Sequence, residues 1–233
     1  MIVAIQTARK GSKSVPNKNI LEVHGKPLFL HSIDIANKSS LIESVYCSTD
    51  CEVIKSYSKL SNFKVIERPN ELSGDSASHH DTMIHAILEV EKVTGRDVEL
   101  VVFLLGNTIS ADPECLDACI NKMIIDEEID SVQSVSKFNM FNPYRAYKIS
   151  SSDRLKTIID SSGIKSANDK NSAGDVWFNN GSFFICRRDI VLSKQGASPF
   201  PWLGYNILPF RESTKMEVDA AWQLKWMRNC YNE

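Results

Sequence analysis

Apolar positions along the chain fall into short β-branched runs that alternate with stretches of helical spacing. "IVAIQT" reads as a buried strand, and "PLFLHSIDIANKS" as a helix that starts at Pro27. "ESVYCST" and "FKVIE" are strand-like, and Asp50 stands where it would N-cap the intervening "CEVIKSYSKL". In "SHHDTMIHAILEVEKV", Met83, Ile84, Ile87 and Val90 share one side of a helix. "VELVVFLLG" is a continuous apolar run, as expected of a strand buried on both faces. "PECLDACINKMIID" and "DSVQSVS" continue the rhythm as helix and strand. The alternation predicts an α/β fold with a mainly parallel sheet and helices on both faces.

The rhythm breaks after Lys137. "YRAYKISSSDRLKTIID" reads as a hairpin with a polar turn, and "SSGIKSANDKNSAGD" as a loose polar stretch. "GSFFICR" returns to strand. The final pattern, "AAWQLKWMRNCY", is a helix with Trp222 and Trp226 one turn apart, expected to pack as an aromatic face on the core. One domain over residues 1–233 is expected, with an inserted excursion at about 138–178.

Charge changes this picture at one place. The chain carries a formal charge of −2, which argues against a nucleic-acid binder. Yet Arg9, Lys10, Lys13 and Lys18 all precede the first acid, Glu22. They lie on a Gly/Ser/Pro-containing loop at the carboxyl end of the first strand, where open parallel sheets bind ligands. Gly11 and Ser12 allow backbone N–H groups to approach an anion. Arg9 offers a fork to phosphate oxygens, and Lys13 and Lys18 offer point charges. The loop matches neither the P-loop nor the dinucleotide fingerprint. A solvated surface loop is the plain alternative.

No apolar run reaches the length of a membrane span and no secretory leader pattern is visible, so a cytoplasmic protein without membrane partners is expected. The cysteines are expected as free thiols. Cys47/Cys51 and Cys115/Cys119 have i, i+4 spacing but lack further matched ligands. His79 and His80 are adjacent, so on a helix they point apart.

"ARKGSKSVPNKNI", "GKPL", "STD", "ERPNELSGDSAS", "NNGSFFI" and "MEVDAAWQL" follow one another in the order of the acylneuraminate cytidylyltransferases, the CMP-sialic-acid synthetase family, which the chain resembles. The resemblance implies a Rossmann-like nucleotidyltransferase fold and a dimerising extension. It also implies use of CTP and Mg²⁺ to activate a nine-carbon 2-keto sugar acid. It assigns Ala8, Arg9, Gly11, Ser12, Lys13, Lys18 and Asn19, with Arg68, Asp75 and Ser78, to the nucleotide. Arg145, Asn180 and Gly181 fall on the sugar side, and Glu217 and Asp219 in the place of a magnesium-binding pair. Arg9, Lys13, Lys18 and Asp219 carry the catalytic roles in this scheme.

The acidic pair also has a physical argument. In an extended segment, residues i and i+2 project to one face, giving two hard oxygen ligands for one cation. Asp219 is equally placed to N-cap the last helix. No general base stands out. The chain departs from the family where "GNTISADPE" replaces a Gln-Pro-Thr-Ser-Pro-Leu-Arg segment: Gly106 stands for a polar side chain, and only Thr108 is clearly kept. Phe184 replaces a common Tyr, and Glu217 replaces an Asp. An eight-carbon Kdo-type acceptor, an inactive nucleotide-binding module and a glycosyltransferase-like use of the fold remain alternatives.

Overall fold

Strand β1 (Ile2–Thr7) lies inside a seven-stranded mixed sheet, and its side chains alternate between two cores. Ala4 enters one; Val3 and Ile5 enter the other. This double burial is why the first run is apolar without a break. The computed structural model describes residues 1–109, 112–160, 174–213 and 215–230.

After β1 come a small hairpin, β2 (Glu22–Val23) and β3 (Lys26–Pro27), and helix α1 (Leu28–Ala36). β4 (Ser44–Thr49), α2 (Glu52–Ser56), β5 (Lys64–Glu67), α3 (His79–Thr94), β6 (Leu100–Leu105), α4 (Pro113–Ile125) and β7 (Ser131–Lys137) follow. A separate hairpin, β8 (Tyr147–Ile149) and β9 (Leu155–Thr157), precedes β10 (Trp177–Arg187) and α5 (Arg188–Ser193). β11 (Ile207–Glu212) and α6 (Ala221–Cys230) complete the described elements.

The sheet order is β11-β7-β10-β6-β1-β4-β5, and β10 alone among its strands runs antiparallel to its neighbours. Helices α1 and α4 cover one face; α3 and α5 cover the other. The predicted mainly parallel α/β sheet is present. β11 was not predicted. Pro209 interrupts its pattern, and a proline that lacks an N–H is tolerated because the strand lies at the sheet edge.

A third, smaller cluster joins the two ends of the chain. Val15 from the basic loop, Val23, Leu28, Ile109, Val218 and Met227 pack together, with Trp226 against them. Trp222 departs from the expected aromatic face: it is 59% exposed, and only Trp226 packs inward. Asp50 is not the cap of α2, whose N-cap position is Cys51. The Asp50 carboxylate instead accepts from the Lys10 backbone N–H at 2.6 Å.

Cys47 and Cys51 are buried free thiols, and burial pushes the Cys47 thiol up to about 12. Among the described residues no helix is long and apolar enough to cross a membrane. The polar stretch at residues 161–173 lies outside the described residues.

Candidate active site

The loop that follows β1 is pinned before it carries any charge. Ala8 N–H donates to Ser48 O, and Thr49 Oγ1 donates to Ala8 O at 2.6 Å. Asn19 Nδ2 closes the loop by donating to Arg9 O at 3.1 Å. Gly106, at the end of β6, lies directly beneath: a Cβ there would come within 2.8 Å of Ala8 Cβ and 3.3 Å of Asn19 Cγ. The loss of a side chain at position 106 therefore follows from how tightly the loop packs on β6.

The loop borders a cavity of about 390 Å³ at the carboxyl ends of β1, β5 and β6. Arg9, Lys18, Asn19, Arg68 and Asp75 line it, and so do Glu217 and Asp219 from the far end of the chain. Lys18 Nζ stands 2.6 Å from Asp219 Oδ1. Val218, between the two acids, points into the third apolar cluster alongside Val15. Alternation along an extended segment thus turns Val218 inward and Glu217 and Asp219 toward the cavity.

Asn107 holds that acidic pair. Its Nδ2 lies 3.2 Å from Glu217 Oε2 and 3.4 Å from Asp219 Oδ1, and it also reaches Val218 O. Val218 N–H returns a bond to Asn107 O at 2.8 Å. Burial, reinforced by the neighbouring Asp219 charge, raises the Glu217 pKa above the usual carboxylate range. The helix cap is supplied by Gln223, whose Oε1 accepts from the N–H groups of Asp219 and Ala220. The Asp219 carboxylate faces Lys18 and Asn107 instead.

At the other rim, Asp75 accepts from Arg9 at 2.6 Å and from Lys13 at 2.8 Å. Those hydrogen bonds, Lys13's first, hold its carboxyl below the usual range. Arg68 is buried, with Nε on Ser48 Oγ and Nη2 on Ser48 O. Burial lowers its pKa. Its cationic centre borders the cavity in a low-dielectric wall, where a charge acts most strongly.

Other expected residues sit around the site rather than in its lining. Ala8 is buried beneath the loop. Gly11 takes φ +73° on the exposed part of the loop, and Ser12 Oγ meets Ser14 Oγ at 3.5 Å. Lys13 is exposed and joins the site through Asp75. Ser78 N-caps α3, its Oγ accepting from Asp81 N–H. Gly181, at a φ of +74° that side chains rarely adopt, backs closely onto Glu217: a Cβ would lie 3.0 Å from Glu217 Cβ.

Two of the expected sugar-side residues stand outside the lining of this cavity. Asn180 is buried and its amide is spent inside the fold: Oδ1 accepts from Ser134 Oγ and Ser182 N–H, while Nδ2 donates to Ser136 Oγ and Glu212 Oε2. Arg145 is exposed in the turn Pro143–Arg145, away from the cavity lining.

Apart from Phe184, noted in the sequence for the Tyr it replaces, the residues that sequence reasoning missed are mostly aromatic or amide. His79, Phe184, Phe200 and Trp202 form one wall, with His79–Trp202 and Phe200–Trp202 ring centroids at 5.7 and 5.4 Å. His79 Nε2 meets Thr7 Oγ1 at 3.2 Å, and burial pushes its pKa down to about 4. His80 bonds Val191 O, and although adjacent residues are expected to point apart, its ring also packs on Trp202, with centroids 5.5 Å apart. Asn107 had a usable signal, since it follows the central apolar strand directly. Phe200 and Trp202 lie in an aperiodic stretch and had none.

Residues 3–223 match the family model described as cytidylyltransferase. The N-acylneuraminate cytidylyltransferase of Oncorhynchus mykiss is 29% identical over 227 residues, covering 97% of this chain and 50% of that protein. That of Streptococcus agalactiae serotype V is 36% identical over 83 residues, 35% of this chain and 20% of the relative. The chain thus spans half or less of the length of these curated relatives. Among solved structures, a CMP:2-keto-3-deoxy-manno-octonic acid synthetase complexed with CTP superposes with a TM-score of 0.69 at 18% identity. That superposition covers 97% of this chain and 96% of the other. The fold is the α/β, Rossmann-like one of these nucleotidyltransferases, and with the family model spanning nearly all of its length, the chain belongs to the cytidylyltransferase family.

Proposed function

We propose that the protein transfers CMP from CTP to the anomeric 2-hydroxyl of a sialic-acid-like 2-keto sugar acid and releases pyrophosphate. The observation that carries this reading is the meeting of Lys18 and Asp219 across one cavity, with Arg9 and Arg68 on the same wall. A cationic set and an acidic pair in one pocket suit a metal-bound nucleoside triphosphate.

Lys18 and Arg9 are placed to hold the triphosphate, and Lys13 can follow from the rim. The sugar hydroxyl attacks the α-phosphorus, and the bond from that phosphorus to the bridging oxygen breaks. The fixed positive charges offset the negative charge that grows on the departing pyrophosphate. The buried Arg68 needs no reorganisation to do so. Glu217 and Asp219, held side by side by Asn107, offer the hard oxygen donors that Mg²⁺ takes. Bound there, Mg²⁺ would neutralise phosphate charge and polarise the reacting phosphorus.

The wall of Phe184, Phe200 and Trp202 supports an acceptor with an apolar substituent, such as an acyl group, over the fully hydroxylated eight-carbon acid. The β8–β9 hairpin supports a homodimer. Among the described residues it pairs with no third strand, and Tyr147, Ile149 and Leu155 are all exposed on it.

The test is pyrophosphate release from CTP and Mg²⁺ with a panel of 2-keto sugar acids. Release with an N-acylated nine-carbon acid is the expected result. Release with ATP or UTP but not CTP would overturn the base assignment, and CTP binding without release would indicate an inactive module.

A further inference from the structure

We infer that Asn179 is the specificity-determining donor for the acceptor's carboxylate, an inference that rests on the transferase reading above. The register of β10 supplies the first reason. Asn179 pairs with Val135 while Phe184 pairs with Gln133, so the strand carries extra residues between them. That bulge turns at Gly181 and is pinned from inside by Asn180. Bulges re-aim side chains, and here Asn179 lines the cavity while its neighbour Asn180 does not.

The orientation of the Asn179 amide is set by chemistry. Gly181 N–H donates to its Oδ1 at 2.9 Å, and a backbone N–H can only donate. Gln133 Nε2 reaches the same oxygen at 2.9 Å. With the oxygen spent, Nδ2 is the amide end left for a ligand, and no partner for it is present among the described residues. Two other polar residues of the lining are committed, Asn107 to the acidic pair and Thr7 to His79.

The ligand group follows from position. Gly181 packs on Glu217, so the bulge borders the acidic pair where the anomeric hydroxyl would react. In a 2-keto sugar acid the carboxylate sits on the same carbon as that hydroxyl. Beside two acids, such a carboxylate requires a donor, and the Asn179 amide supplies it.

The test compares Asn179→Asp with Asn179→Ala. Acceptor binding is measured by calorimetry on protein saturated with a non-hydrolysable CTP analogue, with N-acetylneuraminate and 2-keto-3-deoxy-manno-octonate as probes. Asp keeps the oxygen that accepts from Gly181 and Gln133 but repels a carboxylate, whereas Ala only deletes. Recognition therefore predicts that Asp binds acceptor at least ~10-fold more weakly than wild type, and more weakly than Ala, with analogue affinity and melting temperature unchanged. If Asn179 merely anchors the bulge, Ala is the worse variant and loses thermal stability; that order overturns the proposal. Wild-type binding of neither probe would overturn it as well. Binding without pyrophosphate release from CTP would sink the transferase reading while leaving the donor assignment standing.

Discussion

Lys18 Nζ and Asp219 Oδ1 lie 2.6 Å apart although 201 residues separate them in sequence. The contact joins the cationic loop after the first strand to the acidic segment before the last helix. Both segments are anchored beneath the charges by one apolar cluster through Val15 and Val218. Packing, rather than the ion pair, holds the ends together, because a partly exposed pair is worth ~0–1 kcal/mol. Lys18→Met is therefore expected to leave the melting temperature within a few degrees of wild type. It should lower kcat/KM for CTP by ~100-fold, since a charge aimed at the leaving group is lost. Steady-state kinetics beside a thermal melt would check both parts.

The acidic pair is separable from the helix cap. Gln223 already accepts from Asp219 and Ala220 N–H, so the double change Glu217→Gln, Asp219→Asn should leave α6 intact. Pyrophosphate release should fall below detection while circular dichroism stays unchanged. Loss of folding in the double variant would instead mean that the carboxylates serve the scaffold.

Gly106 is constrained by its neighbours rather than by its backbone. A methyl group there would sit 2.8 Å from Ala8 Cβ and press on Asn19, the residue that closes the basic loop onto Arg9 O. Gly106→Ala should cost about 1–3 kcal/mol of stability through overpacking. It should also weaken CTP binding, because the loop must shift to admit it. Chemical denaturation and nucleotide titration report the two effects independently.

How far the sequence showed these features depended on whether a local rule survived the fold. The basic loop was legible because its charge imbalance is local and strand ends are where ligands sit. Glu217 and Asp219 were legible because i, i+2 alternation holds through Val218. The same alternation fails at the β10 bulge. The left-handed turn at Gly181 shifts the cavity-facing position from Asn180 to Asn179, and no single-sequence pattern marks that shift. Asp50 was misread because capping is the commoner role for an aspartate before a helix, whereas here a backbone N–H from a distant loop reached it first. The strand at Ile207–Glu212 was hidden by Pro209, which only an edge position tolerates.

His79 makes stability fall in acid. Its pKa is about 4 in the fold because burial disfavours the imidazolium, against an ordinary 6.5. Between those values the unfolded chain binds more protons, so stability rises with pH from about 4 to 6.5 and is level above. The full effect is at most about 3 kcal/mol. His79→Gln should remove this part of the dependence: the gap in melting temperature between pH 7 and pH 5 should be smaller in the variant than in wild type. An identical gap in both proteins would show that His79 does not carry it.

The exposed hairpin sets the last expectation. Two-stranded ribbons are marginal alone in water, and this one presents Ile149 at 71% and Leu155 at 67% exposure directly across from each other. A paired apolar position at the tip of a ribbon that has no third strand among the described residues is stabilised if a second copy covers it, and a self-complementary contact is the commonest way for one chain to provide that cover. Ile149→Glu with Leu155→Glu places like charges opposite each other on that face, which opposes association without touching the main sheet. Light scattering on the wild type should report twice the chain mass of 26.2 kDa, and the double variant should report the chain mass itself. The melt of the main domain should hardly move, since the ribbon shares no strand with the seven-stranded sheet. A wild type that runs as a monomer would show that the ribbon does not hold two copies together.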